Sequence, residues 1–200
     1  MEIKTDHYKK SSICVHGYPG LTLTADQIAL FIPHCKIYCE PLAGLGRVAK
    51  LVSADRMILN DMSDYAIEFL TKNFPNAEVI KGDYIECIKK YDSPDTFFLI
   101  DPPYRTSAYA LNERTFIDRT DTTYFTEIRD LLPTLKGNFI MCSDSSRTGA
   151  RIYKDTPFYK TIVEGSKQKL IFGKTSKILL ISNLPFNAKK TESEEIMEMF

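Results

Sequence analysis

The chain predicts an α/β fold, a doubly wound and mostly parallel sheet with an antiparallel edge hairpin. Three observations predict it. Short apolar runs alternate with stretches of helical spacing along most of the sequence. Glycines, prolines and acids stand directly after those runs, where a wound sheet turns from strand to helix. The last two runs have no clear helix between them, which favours antiparallel neighbours at one edge.

The elements follow in order. Ile37-Tyr38-Cys39 reads as a first buried strand, with a glycine turn and a helix-like stretch from Arg47 to Ser53 behind it. Met57-Ile58-Leu59 is a second strand. A helix with Ala66, Ile67 and Leu70 on one face follows, and Pro75 ends it. Glu78-Val79-Ile80 is a third strand, stopped by Gly82. Thr96 to Ile100 is the strongest strand signal, cut short by Pro102-Pro103. Tyr124 to Leu135 has helical spacing, with Pro133 kinking or ending it. Asn138 to Cys142, Thr161 to Val163 and Lys177 to Ser182 complete the strands. Residues 105 to 123 have no periodicity, and a loop of that length in a small domain is a functional candidate.

Two hundred residues are expected to form one domain, 1–200, with no inserted domain and a flexible tail at 187–200. Hydrophobic content of 44% and charged content of 26% fit a globular protein rather than a disordered or fibrous one. No apolar run reaches the roughly 20 residues of a membrane span. Met1 to Asp6 is too polar for a signal peptide, so a soluble cytoplasmic protein without a membrane partner is expected. Lys plus Arg and Asp plus Glu both number 26, so no global field draws in a polyanion. One basic stretch stands out, Arg151, Lys154, Lys160, Lys167, Lys169, Lys174 and Lys177, which reads equally as a solvated face. Cys14, Cys35, Cys39, Cys87 and Cys142 show no CxxC spacing, and with His16 and His34 they make poor metal geometry. Reduced cysteines and no metal site are expected.

Ligands of a wound sheet bind at the carboxyl ends of its strands. Glu40-Pro41-Leu42-Ala43-Gly44-Leu45-Gly46 follows the first strand, and its glycines let the backbone approach a ligand. Asn60-Asp61 ends the second strand, where a carboxylate suits ribose hydroxyls or, equally, an N-cap. Asp83 after the third strand has the same two readings. The fourth strand ends in Asp101-Pro102-Pro103-Tyr104, an acid, two prolines and an aromatic. Such a set can be a stiffened turn packing Tyr104 on the core. It also suits a planar base with an exocyclic amine: Asp101 and the Pro102 carbonyl accept its protons, and Tyr104 stacks.

The order Tyr18-Pro19-Gly20, Glu40 to Gly46, Asn60-Asp61, Gly82-Asp83-Tyr84 and Asp101-Pro102-Pro103-Tyr104 resembles the Dam-type adenine-specific DNA methyltransferases. Gly137 to Ile140 and Lys177 to Asn183 are similar to that family's later strands. The resemblance spans roughly residues 16 to 186. It implies S-adenosylmethionine as cofactor, with Glu40, Pro41, Leu42, Ala43, Gly44 and Gly46 along its methionine and ribose. It further implies Asp61 on the ribose, Asp83 and Tyr84 at the adenine, and Tyr18, Pro19 and Gly20 closing the methionine end. Asp101 to Tyr104 would be catalytic, DNA the substrate and restriction-modification a possible setting. Two departures stand out. Leu21-Thr22 follow where the family continues with glycine and lysine, and no recognition domain fits into the 54 residues between Gly46 and Asp101. Target recognition then falls to the 105–123 loop, the basic stretch or a protein partner.

Other readings keep part of this pattern. The acid-Pro-Pro-Tyr motif grips an amine on any planar group, so RNA adenine, a cytosine amine or a protein amide are alternatives. Gly44-x-Gly46-x-x-Ala49 alone would suit a nicotinamide dinucleotide. A degenerate binding module is a third possibility.

Overall fold

The computed structural model describes residues 24–102, 123–145, 147–164 and 177–186. A seven-stranded sheet runs through them: β1 Cys35–Glu40, β2 Ala54–Asp61, β3 Glu78–Lys81, β4 Thr96–Ile100, β5 Asn138–Asp144, β6 Tyr159–Glu164 and β7 Lys177–Ser182. The strand order is β3-β2-β1-β4-β5-β7-β6. The first five are parallel, and β7 lies antiparallel between β5 and β6. The sheet class and antiparallel edge pair are as the sequence predicts. The order reverses at β1 and β4, which puts the open crevice at their carboxyl ends.

Among the described residues, five α-helices accompany the strands: α1 Ala25–Ala29, α2 Asp64–Asn73, α3 Tyr84–Tyr91, α4 Thr123–Leu131 and α5 Arg147–Tyr153. A 3-10 turn, Leu132–Thr134, continues α4, because Pro133 has no N–H for another α-helical bond. One apolar layer joins Ile28, Ile32, Leu70 and Val163 to Tyr38, Leu59, Phe97, Leu99 and Cys142. The other joins α3, α4 and α5, through Tyr84, Ile88, Phe125, Ile128 and Tyr153, to Ile58, Phe98, Ile100, Phe139 and Met141. β4 sits between them with all five residues buried, which explains its unbroken apolar run.

The helix expected from Arg47 to Ser53 does not form. Gly44 and Gly46 take φ values of 52° and 60°, and the chain turns tightly, with Gly46 N–H donating to the Ala43 carbonyl. Lys50 then bonds back to Gly46, but Leu51 bonds to Val48. β2 begins at Ala54, paired with Cys35, earlier than its apolar run suggested. Too few residues remain to repay the nucleation of a helix. In the other direction, the sequence reading passed over α3. Its apolar positions Tyr84, Cys87, Ile88 and Tyr91 are helically spaced, but they are interleaved with Lys89 and Lys90 in a short segment. No helix among the described residues is long and apolar enough to cross a membrane.

Candidate functional site

The register of the parallel strands assembles the site. Glu40 lies opposite Leu59 on β2, and Tyr38 lies opposite Phe97 on β4. Side chains alternate along a strand, so residues two apart share a face. Glu40 therefore shares its face with Asp61, two beyond Leu59, and with Asp101, two beyond Leu99. Cys142 follows on β5, two beyond Ile140, the partner of Leu99. Three carboxylates, from β2, β1 and the residue directly after β4, thus line one side of the carboxyl-end crevice. Among the described residues, no group of three His, Cys, Asp or Glu could hold a metal ion.

Glu40 is 4% exposed. It accepts a hydrogen bond of 2.6 Å from the hydroxyl of fully buried Tyr38, and another from the Ala49 backbone. Burial pushes its carboxyl up to about 8, and the neighbouring Asp101 pushes the same way. The Tyr38 and Ala49 bonds act in the opposite direction without prevailing. Tyr38 and Cys142 are both raised, chiefly by burial and further by the acids beside them.

Asn60 and Asp61 hold the glycine loop in place. Gly44 N–H donates to Asp61 Oδ2 at 2.9 Å, and Ser63 N–H donates to Oδ1 at 2.9 Å. Burial raises the Asp61 carboxyl, opposed by backbone bonds from Ser63, Gly44 and Met62. Asn60 Nδ2 donates to the Pro41 carbonyl at 2.8 Å and to the Gly82 carbonyl at 3.0 Å. The Asn60 carbonyl accepts from Ala43 N–H at 2.8 Å. One asparagine thereby ties together the ends of three strands. Its Oδ1 is buried without a partner, and a Cβ on Gly82 would come within 3.4 Å of that oxygen. The two glycines of the loop have different reasons. Gly44 offers its N–H from a left-handed turn, whereas a Cβ on Gly46 would meet the Phe74 ring at 2.7 Å. Gly46 is required by packing as well as by φ.

The other expected site residues divide. Asp83 caps α3, its Oδ1 accepting from Ile85 N–H at 2.8 Å and Glu86 N–H at 3.2 Å. Tyr84 is 7% exposed and packs in the layer on the opposite side of the sheet from Glu40. Its hydroxyl lies 3.4 Å from Glu127, and burial raises it. Pro41 and Ala43 are buried, Leu42 is half-buried, Asp101 is half-buried and Pro102 is buried at the end of β4. Tyr18, Pro19, Gly20, Pro103, Tyr104, most of the 105–123 loop and the 187–200 tail lie outside the described residues.

In the described part of the basic stretch, Lys177 pairs with Glu164. The Lys160 ammonium donates to the carbonyls of Thr156 and Phe158 at 2.8 and 3.0 Å. Arg151 and Lys154 are exposed on and beside α5. Lys167, Lys169 and Lys174 lie outside the described residues. Sequence reasoning missed Tyr38 as a partner of Glu40, although a polar atom two residues before an acid on a buried strand was a usable signal. It also missed Cys142, which only the register brings beside Asp101.

No family model matches the sequence, and no curated protein matches it. Solved structures do. An rRNA methylase from Streptococcus thermophilus superposes with a TM-score of 0.53 at 12% identity, over 81% of this chain and 94% of that one. The fold is a Rossmann-like α/β fold. A precorrin 8w decarboxylase of Methanobacterium thermoautotrophicum gives 0.53 at 16% identity, over 80% and 88% of the two chains. The precorrin-6y C5,15-methyltransferase of Geobacter metallireducens gives 0.50 at 13%, over 80% and 85%. At such identities the likeness is one of fold, shared by proteins with unlike substrates.

Proposed function

We propose that this chain transfers a methyl group from S-adenosylmethionine to the exocyclic amine of adenine in DNA. The observation that carries the reading is Asp101-Pro102 at the end of central strand β4, on the crevice that the Glu40–Gly46 loop borders. The donor set also fits this cofactor. S-adenosylmethionine supplies an electrophilic methyl on a cationic sulfonium and has a second positive charge on its ammonium. Glu40 and Asp61 supply the opposite charge at the loop that would hold it, and the carboxylates of this face suit a cation better than a pyrophosphate.

The adenine amine is a weak nucleophile because its lone pair is delocalised into the ring. Asp101 and the Pro102 carbonyl accept its two protons, draw the nitrogen toward tetrahedral geometry and stabilise the positive charge that develops on it. Pro102 is suited to this because a fixed φ aims its carbonyl. Tyr104 stacks on the base. In a duplex the base must first leave the stack, at a cost of a few kcal/mol. Between Gly46 and Asp101 the chain forms β2, α2, β3, α3 and β4. The proposal therefore includes a single catalytic domain with a short or loose target site, or a protein partner that recognises the target.

A second reading, methylation of an RNA base by the same residues, is favoured by the rRNA methylase among the structural neighbours. Incubation with tritiated S-adenosylmethionine and separate duplex DNA, single-stranded DNA and RNA pools discriminates the two. Label in DNA adenine, lost in Asp101→Ala, is the expected result. Label confined to RNA would replace DNA with RNA, and cofactor binding without label in any pool would point to a binding module.

A further inference from the structure

The Tyr38–Glu40 pair does something that cofactor positioning alone does not require. Glu40 is a carboxyl at 4% exposure, and the groups that bear on it are neutral or acidic. From its own strand Tyr38 donates a hydroxyl bond of 2.6 Å, and Cys39 stands next to it. From the segment after the loop comes the Ala49 N–H. From β4 comes Asp101 and from β5 Cys142, while β2 presents Asp61 on the same face. Among the described residues, none of the groups that bear on Glu40 carries a positive charge to offset a buried carboxylate.

We infer that Glu40 holds a proton in the free protein and releases it to solvent when a cationic ligand reaches the crevice, so that cofactor binding and Glu40 ionisation are a single event. This rests on the S-adenosylmethionine reading above. The balance is simple: the neutral carboxyl loses H⁺ to water, and the carboxylate left behind faces the incoming cation. Tyr38 then acts as a positioning residue, since its hydroxyl donates to either form but more strongly to the anion. Burial of Glu40, which raises its carboxyl to about 8, is consistent with a proton held at neutral pH. The free protein thus presents less negative charge than its sequence suggests, and the bound protein presents the full charge to the ligand.

Calorimetric titration of the full chain with S-adenosylmethionine, in buffers of unlike ionisation enthalpy, tests the inference. A net release of protons on ligand binding is expected at pH 7, and affinity should rise several-fold from pH 6 to pH 7. Glu40→Gln should bind more weakly, with no proton release and a flat profile over that range. Tyr38→Phe, which leaves the acid in place, should carry the rising limb to higher pH. The infrared carbonyl band of a protonated carboxyl, present at pH 7 in the free protein and absent in Glu40→Gln, checks the starting state without any ligand. Tight binding without proton release, or absence of that band, would overturn the inference and leave the cofactor reading standing. No binding of S-adenosylmethionine with the band present would instead overturn the cofactor reading and the release step built on it.

Discussion

The two ends of β1 and β2 treat their acids in opposite ways. At their amino ends, carboxylates at or near the surface meet basic side chains: Lys36 with Asp95 at 2.9 Å, the His34 imidazole with Asp55 at 3.2 Å, and Arg56 with Glu78. Lys36 and Asp95 keep 69% and 55% of their side-chain surface in water. At the carboxyl ends, Glu40 and Asp61 are turned inward and bonded to neutral donors, the Tyr38 hydroxyl and backbone N–H groups. The first arrangement contributes little, because solvent screens it and two long side chains must be fixed to make it. The second costs stability in the free protein, because burial disfavours a charged carboxyl, and in the proposed cofactor complex a positive charge offsets that cost. The proposed site lies at the end where Glu40 and Asp61 are bonded to neutral donors, and the amino ends carry surface ion pairs.

The largest effect should come from the reacting end. Asp101→Ala is expected to lower methyl transfer by at least about 10²–10³-fold, with cofactor affinity within about threefold of the parent. Single-turnover label transfer beside a cofactor titration checks this, and equal losses in both would remove Asp101 from the chemistry. Gly46→Ala comes next. Its Cβ would meet the Phe74 ring at 2.7 Å in a backbone with φ of 60°, so a loss of about 2–4 kcal/mol is expected in urea unfolding. Asn60→Leu should cost about 2–3 kcal/mol, because the Pro41 and Gly82 carbonyls lose their donor while buried. It should also weaken cofactor binding, since the loops after β1 and β3 lose their common tie.

A pH series sharpens the contrast further. Glu40 has a folded-state pKa above its unfolded value, so its contribution to stability is complete below the unfolded pKa near 4.5 and is lost as pH rises toward about 8. Stability should therefore fall through that window with a slope of up to about 1.4 kcal/mol per pH unit from this group, and Glu40→Gln should remove the slope. Chemical denaturation at several pH values reads it directly. The smallest effect belongs to the amino ends: Lys36→Ala should change stability by no more than about 0.5 kcal/mol and leave methyl transfer untouched. A larger change there would mean that the two ends are not as different as their burial implies.

Much of the scaffold was legible because it depends on local pattern. Thr96 to Ile100 and Lys177 to Ser182 are strands at the predicted residues, since apolar runs bounded by breakers leave little choice. Pro133 converts the end of α4 into a 3-10 turn for a reason visible in one residue. Arg47 to Ser53 misled because its composition suits a helix, while two left-handed glycines and the early start of β2 forbid one. The readings left open at Asp61 and Asp83 show the limit of local information. Both have capping sequences; in the structure Asp83 caps α3, while Asp61 reaches across to Gly44, seventeen residues earlier.

The sequence alone determined the alternation of strands and helices, the antiparallel last pair and the acids at strand ends. Those depend on side-chain period and on glycine and proline stereochemistry, which act over a few residues. Only the tertiary structure decided which acids meet. Parallel register brings Glu40, Asp61 and Asp101 to one face, and burial sets the charge that Glu40 carries. It also sends Tyr84 to the opposite layer, while Gly46 is fixed by Phe74. Register and desolvation are properties of distant segments packed together, and no local window of sequence contains them.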